Sequence, residues 1–563
     1  MNSQPRLAVS RRAALASSAA IALLPGTSAW AAVQSYPGGA TPDDAALVEQ
    51  VDAFVRRAME AWSDQPALGV AVVRDGRTVL ARGYGVKVQG RSAAADEHTL
   101  FAIASNTKNV TAAALAILVD EGKLKWDEPV RTYWPEFSLS KPELNGMVTV
   151  RDLLSHRIGF GLGAGDLLFW PTAERTRAEI IAAIPNVPIE DGFRTAYHYC
   201  NLMFVAAGEV LERVSGMKWE DFIQTRILDR VGMTETAVLT GRADPAKSAL
   251  PHGRVGPPFR YQGPMVQLAD SIVGIWNWDN AAAAGSLCAS PHDWAKWIAV
   301  RLNDGLLPDG TRLYSEDRAR EMVRPNIIVG SSPGPTAELP GRAIASTYAM
   351  GLQVQDYRGE RLISHGGGSP GGISATVMLP GRKLGFAVFS NAEESFLLRA
   401  LRSGIADICM GVATPFDWIG DSRRLEQEGI EKTAAAAIEI DAKQAAGVPP
   451  SLPLDAYAGT WRDPWYGDIE IQSTHSTYRG NDGQRAHSSS LMLSFTRTPA
   501  LAGPLEPYDG ETFRTRFTDK REEDAFITFE IENGRPVRAT VKGVSPDIDF
   551  SYDYQDLRLT KVG

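Results

Sequence analysis

The stretch "SNTKNVTAAALAILVDEG", Ser105 to Gly122, constrains the fold more than any other in the chain. It is built of helix formers, stops at a glycine, and carries no charge between Lys108 and Asp120. A helix that is apolar all round leaves no face for water, so it belongs at the centre of a domain with other elements packed on every side. At 563 residues the chain is long enough for one large domain plus at least one smaller one.

The segments around this helix indicate what covers it. Asp43 to Trp62 places Leu47, Val51, Phe54, Val55, Met59 and Trp62 at helical spacing. The run "LGVAVVRDGRTVLARGYG" reads as a hairpin around Asp75-Gly76, and "ISATVMLPGRKLGFAVFSN" as two more strands around Gly381-Arg382, followed by a helix from Glu393 to Met410. Strands at both ends of a helical middle predict an α/β domain whose sheet is assembled from distant parts of the chain. Residues 415–453, rich in Ala, Glu and Lys and ending in prolines, read as a partly helical linker. From Leu454 the runs "DIEIQ", "LMLSF", "TFRTRF", "AFITFEI" and "VRATV" alternate with turn residues, the pattern of a small all-β barrel or sandwich. The expected domains are 32–414, a linker at 415–453, and 454–563.

Residues 1–31 read as a signal peptide: Arg6, Arg11 and Arg12, an apolar run from Ala13 to Leu24, then Ala29-Trp30-Ala31. Ser10-Arg11-Arg12 resembles a twin-arginine export signal, so an exported, periplasmic or secreted protein is expected. No uninterrupted apolar run approaches the roughly 18 residues of a membrane span, and no integral span is expected. A net charge of -9, with no Lys/Arg cluster past the N-terminus, argues against nucleic acid or an anionic membrane as partner. A small-molecule or peptide substrate fits better. Cys200, Cys288 and Cys409 are too few and too far apart for a disulfide framework, and no paired Cys/His spacing suggests zinc; no metal or cofactor is expected.

Ser-x-x-Lys places a hydroxyl beside an ammonium only where the residues share a helix face. It occurs at Ser105–Lys108, Ser138–Lys141 and Ser215–Lys218. Lys141 precedes Pro142, which disfavours helix, and Ser215-Gly216 stands at a helix end, so both of these read as structural. Ser105 opens the buried helix, where N–H groups and the positive dipole end favour a nucleophile; an ordinary N-cap explains it equally well. Tyr199-Cys200-Asn201 offers a phenol that a neighbouring ammonium would activate as a general base, and an amide for substrate contact; a tyrosine packed at a helix start with an N-capping asparagine is a reasonable reading of the motif by itself.

Ser105-Asn106-Thr107-Lys108, Tyr199-Cys200-Asn201 and His365-Gly366-Gly367, in that order, resemble the three motifs of the serine β-lactamase and penicillin-binding protein superfamily. The closest group is that of class C β-lactamases, D-alanyl-D-alanine carboxypeptidases, D-aminopeptidases and esterases. The similarity spans about residues 45 to 410, with framing segments "LLSHRIGF", "AAGSLCASPHDWAKWI", "YAMGLQV" and "FAVFSN"; "LPLDAYAGTW" looks like the start of the small lipocalin-like β domain often appended. The resemblance implies an antiparallel sheet flanked by helices plus an all-helical lobe, with the site between them. It implies an acyl-enzyme on Ser105, Lys108 or Tyr199 as base, and an oxyanion hole from the backbone N–H groups of Ser105 and Gly368. Asn201, His365, Gly366 and Gly367 would contact substrate.

This chain departs from dedicated β-lactamases at the third motif, where His365-Gly366-Gly367 replaces Lys-Thr-Gly and offers a mostly neutral imidazole. β-Lactam hydrolysis is therefore disfavoured against cleavage of amide, peptide or ester bonds. The alternative is a penicillin-recognising or peptide-binding protein with slow or no turnover. Gly367-Gly368-Ser369-Pro370-Gly371 also spells the G-x-S-x-G of α/β-hydrolases, but Pro370 has no N–H for an oxyanion hole, and strands rather than a helix follow. His156 and His198 read as structural, and His98, His252, His292, His475 and His487 show no metal-ligand spacing.

Overall fold

The computed structural model describes residues 39–190, 192–271, 277–413, 415–479 and 485–562; the predicted signal peptide lies outside the described residues. Helix α1 (Asp44–Ala61) is capped by Asp43, whose carboxylate accepts the Ala46 N–H at 2.9 Å. Leu47, Val51, Phe54, Val55 and Ala58 form its buried stripe. The hairpin of β1 (Ala67–Arg74) and β2 (Arg77–Gly85) follows, turning at Asp75-Gly76. Strand β1 is buried from Ala67 to Val73 without alternation because both its faces are covered. Leu68, Val70 and Val72 pack in the core shared with α1, and Ala67, Ala71 and Val73 in the larger core on the other side.

The helical middle contains α2 (Thr107–Asp120), α3 (Leu202–Ser215) and α4 (Pro291–Leu302). Six further strands then complete the sheet: β3 (Ile327–Ser331), β4 (Ala345–Tyr348), β5 (Gln353–Tyr357), β6 (Glu360–Ser369), β7 (Gly372–Leu379) and β8 (Leu384–Ser390). The order is β2-β1-β8-β7-β6-β5-β4-β3, with every neighbour antiparallel. The first and last strands of the domain thus meet at β1–β8 in mid-sheet. Helix α5 (Ser395–Cys409) joins α1 on one face; α4 covers the other, where the Trp294 indole donates to Thr376 of β7 at 2.9 Å.

Every residue of α2 from Thr107 to Leu118 is buried, the position its composition demands. The helix begins later than the periodicity indicates. A 3-10 turn, Ala104–Asn106, carries Ser105, and the α-helix starts at Thr107. Ala104 holds a φ of 45°, a left-handed conformation costing roughly 1–3 kcal/mol in a residue with a side chain.

The segment read as a partly helical linker contains one continuous helix, α6 (Trp418–Ala446). It grips both of its neighbours. Trp418 Nε1 donates to Asp407 Oδ2 at 2.8 Å and Arg399 pairs with Asp421 at 2.6 Å on one side. On the other, Asp441 pairs with Arg514 at 2.6 Å and Ala437 packs with Val544, in a cluster that Phe259 of the larger domain joins. Beyond it, β9 (Gly459–Asp463), β10 (Gly467–Arg479), β11 (Arg485–Phe495), β12 (Ala502–Asp509), β13 (Thr512–Thr515), β14 (Ala525–Glu532), β15 (Arg535–Gly543) and β16 (Arg558–Lys561) close into a barrel. Its interior is filled by aromatics, among them Tyr457, Trp461, Phe513 and Phe529 at ring separations of 4.8 to 5.3 Å. Among the described residues no helix is long and apolar enough to cross a membrane.

Candidate active site

The 3-10 turn places Ser105 and Lys108 on one side of the start of α2, and the Lys108 Nζ stands 2.9 Å from the Ser105 Oγ. The same ammonium donates to Asn201 Oδ1 at 2.6 Å and to the Ala284 carbonyl at 2.9 Å. Lys108 is fully buried, and loss of hydration pulls its pKa down to about 7, against the opposing pull of the Asp166 carboxylate. A lysine so placed gives up its proton more readily than an exposed one, which suits it to take a proton from Ser105.

Tyr199 closes the other side of Ser105. Its ring centroid lies 5.0 Å from Lys108 Nζ, and it interacts with the Ser105 hydroxyl. Burial raises the Tyr199 phenol well above its ordinary pKa, which the interaction with Ser105 only partly offsets. Burial thus works against the phenolate form of Tyr199 in the resting site. His156, read from sequence as structural, lies with its ring 4.2 Å from that of Tyr199 and takes the Cys200 N–H on Nδ1 at 3.1 Å. It is a packing support for the tyrosine, kept neutral by burial.

Asn201 engages both ends of its amide with protein groups: Oδ1 accepts from Lys108, and Nδ2 donates to Asp166 Oδ2 at 2.8 Å. Asn106 ties the nucleophile turn to the sheet, donating at 2.8 Å to Ser374 Oγ, which in turn donates to the Ile103 carbonyl at 2.8 Å.

His365, Gly366, Gly367 and Gly368 lie on β6 along this turn, paired with Thr376, Ala375, Ser374 and Ile373 of β7. The glycines have different reasons. A Cβ on Gly367 would stand 2.2 Å from the Ile103 oxygen, so only glycine lets the strand approach the nucleophile turn. A Cβ on Gly368 would meet nothing within 4 Å, which leaves that backbone bare toward the cavity. The His365 Nε2 accepts from Tyr348 Oη at 2.7 Å, its Nδ1 proton going to the Gly366 carbonyl. Burial first, and the nearby Lys108 second, push its pKa down to about 3, so the imidazole is neutral. Ser369 ends β6, its Oγ bonded to the Gly372 carbonyl at 3.1 Å, with a turn at Pro370-Gly371 leading into strand β7 instead of the helix an elbow serine requires. Of the other Ser-x-x-Lys pairs, Lys141 is extended ahead of Pro142, and Ser215 ends α3 with Gly216 left-handed at φ 70°.

A cavity of about 300 Å³ opens over Ser105, within the range of small-ligand sites. Its walls are aromatic, with Trp170, Tyr197, Trp278 and Tyr348 beside Tyr199. The outer wall comes from the C-terminal domain, through Asp549, Phe550 and Ser551 of the loop between β15 and β16. Phe550 meets Tyr199 edge to face at 5.8 Å, and the Ser551 Oγ donates to Asp166 Oδ2 at 2.9 Å. Asp553 fixes the loop by accepting the N–H groups of Gly165 at 2.6 Å and Leu167 at 3.1 Å. Sequence reasoning missed this wall, and Asp166 with it. The one signal for Asp166 was a lone carboxylate in the apolar run "GAGDLLFW".

A sheet with helices on both faces and a buried Ser-x-x-Lys at the start of a central helix are features of a β-lactamase-like serine hydrolase, and the chain belongs to that family: the family described as Beta-lactamase matches residues 51–408. Residues 443–561 match a domain of unknown function, DUF3471. Unguisins hydrolase ungD' of Aspergillus campestris (strain IBT 28561) is 28% identical over 439 residues, covering 74% of this chain and 76% of that protein. Penicillin-binding protein 4 of Amycolatopsis lactamdurans is 25% identical over 359 residues, covering 62% and 87%. Among solved structures, the D-amino acid amidase of Ochrobactrum anthropi SV3 shares the fold at a TM-score of 0.52 and 22% identity, over 67% of this chain and 99% of the amidase. The octameric penicillin-binding protein homologue of Pyrococcus abyssi shares it at 0.51 and 19%, over 91% and 100%.

Proposed function

We propose that the chain is an exported serine hydrolase that cleaves amide, peptide or ester bonds through an acyl-enzyme on Ser105. The observation that carries this reading is the fully buried Lys108 amine 2.9 Å from the Ser105 hydroxyl at the floor of an open cavity. Neutral Lys108 takes the Ser105 proton as Oγ attacks the substrate carbonyl. The backbone N–H groups of Ser105 and Gly368 receive the oxyanion, each such donor being worth on the order of 3 kcal/mol. Tyr199 donates its phenolic proton to the departing amine or alkoxide and regains one from Lys108. Water then attacks the ester, with the same pair returning the proton to Ser105.

The cavity walls narrow the substrate class. Among the described residues, no lysine or arginine lines the cavity, and Asp549 is an acid on its wall. A substrate carboxylate, as β-lactams and peptide C-termini present, lacks a cationic partner there; an uncharged or amine-bearing acyl group against the aromatic walls is better matched. The name of the fungal relative, an unguisins hydrolase, supports hydrolysis over mere recognition.

The test screens D-amino acid amides, short peptides, p-nitrophenyl esters and β-lactams against wild type and Ser105→Ala. Loss of both turnover and fluorophosphonate labelling in the variant is expected; undiminished activity in Ser105→Ala would sink the proposal. A single stoichiometric acylation without product release identifies the slow-turnover alternative.

A further inference from the structure

Asp166 has no part in the chemistry just described, yet it is completely buried and its position is held from two domains. A carboxylate in an apolar lobe is a steep desolvation cost unless its surroundings compensate it. Here Oδ2 accepts from Asn201 Nδ2 at 2.8 Å and from Ser551 Oγ at 2.9 Å, while Oδ1 accepts no hydrogen bond among the described residues. The Asn201 amide continues the chain, its Oδ1 taking the Lys108 Nζ at 2.6 Å. Ser551, Asp166, Asn201 and Lys108 therefore form one hydrogen-bonded line from the C-terminal domain to the amine beside the nucleophile.

We propose that Asp166 is a positioning residue that holds Asn201 and, when ionised, supplies a counter-charge for Lys108, and that Ser551 of the docked C-terminal domain keeps it in place, making that domain a part of the catalytic machinery. The proposal rests on the reading of Lys108 as the base for Ser105. Asp166 and Lys108 titrate as a pair: burial pushes the acid up and the amine down, and each is drawn back by the other's charge. The remaining groups that face them are fixed. His156 and His365 are held neutral by burial, Tyr199 and Cys200 are held protonated, and Asp549 and Asp553 stand on the C-terminal side.

The sign follows from the pair. The Asp166 carboxylate favours the ammonium form of Lys108, so its removal makes the amine give up its proton at lower pH. The acid limb of kcat/KM, which reports deprotonation of the free enzyme's base, then moves to lower pH. Losing the Ser551 hydroxyl lets Asp166 retain its own proton more firmly, which withdraws counter-charge and moves the limb the same way by less.

The experiment measures pH profiles of kcat/KM on the best ester or amide substrate for wild type, Asp166→Asn, Ser551→Ala and Ser551→Thr, with thermal melts alongside. The expected result is an acid limb displaced by on the order of one pH unit in Asp166→Asn, by less in Ser551→Ala, and restored in Ser551→Thr, which keeps the hydroxyl. Arg497→Ala removes a contact of the same two domains, the 2.6 Å pair with Glu179, and is expected to leave the limb where it is. Should Asp166→Asn not fold, the two serine variants decide the matter. Melting temperatures that fall while the acid limb stays fixed in Ser551→Ala would overturn the proposal and leave Ser551 a docking contact only. Failure of the underlying reading looks different: Ser105→Ala would then retain activity and fluorophosphonate labelling.

Discussion

On the inner side of the cavity, β6 lies so close to the nucleophile turn that a Cβ on Gly367 would stand 2.2 Å from a carbonyl oxygen. On the outer side, Phe550 touches Tyr199 by a ring edge at 5.8 Å and stays 40% exposed. The inner wall is backbone against backbone, continuous with an eight-stranded sheet, and has no slack. The outer wall is a loop carried in from another domain and held by side chains, chiefly Asp553 on two N–H groups and Ser551 on Asp166. The difference assigns precision to one wall and adaptability to the other: under the proposed function, the inner wall aligns the attacked carbonyl and the outer one meets the part of the substrate that varies.

Substitutions on the two walls separate these roles. Gly367→Ala is the most damaging: the added methyl forces β6 away from Ile103, and a displacement of about 1 Å at a reacting centre costs on the order of 100-fold in kcat. Steady-state kinetics with intact circular dichroism checks it. Next comes the pH dependence that His365 imposes on stability. The folded protein keeps this ring neutral down to about 3, whereas the unfolded chain protonates it near 6.5. Stability is therefore lost as the pH falls below 6.5, this ring contributing about 1.4 kcal/mol at one unit below, and denaturant melts should show an acid-side loss smaller by about that amount in His365→Gln than in wild type. Phe550→Ala, on the outer wall, raises KM several-fold with kcat little changed, as expected for an aromatic contact worth about 1 kcal/mol. Gly368→Ala is the mildest on the inner wall, because its methyl meets nothing, and its effect on ester turnover stays within about twofold. If Gly368→Ala were as damaging as Gly367→Ala, the distinction between a packed and a bare glycine would fail.

Much of the inner wall was legible in the sequence, and the reasons are local. Ser105 and Lys108 are spaced for one helical face, Tyr199 and Asn201 sit at the entry to α3, and the strands around Gly381-Arg382 alternate as a hairpin should. The start of α2 was misplaced because composition does not distinguish a 3-10 turn from the helix it feeds. Helix α6 read as a linker because its buried positions, Trp418, Ser422, Glu426, Thr433 and Ala437, mix apolar with polar residues and show no stripe; its order comes from partners on both sides. The ammonium beside Tyr199 was legible from the motifs, whereas the burial that works against its phenolate was not. The outer wall was invisible for a stronger reason. Asp549, Phe550 and Ser551 lie in a β-rich tail where nothing local marks them, and only the docking of two domains brings them to Ser105.

That docking also has a history within the life of each molecule. The ribosome delivers the serine and its lysine hundreds of residues before the loop that completes their enclosure. Until that loop arrives and Ser551 reaches Asp166, the nucleophile exists without the far end of its hydrogen-bonded line. The order of synthesis thereby becomes an order of maturation, in which a later-made domain closes a cavity over a serine made before it.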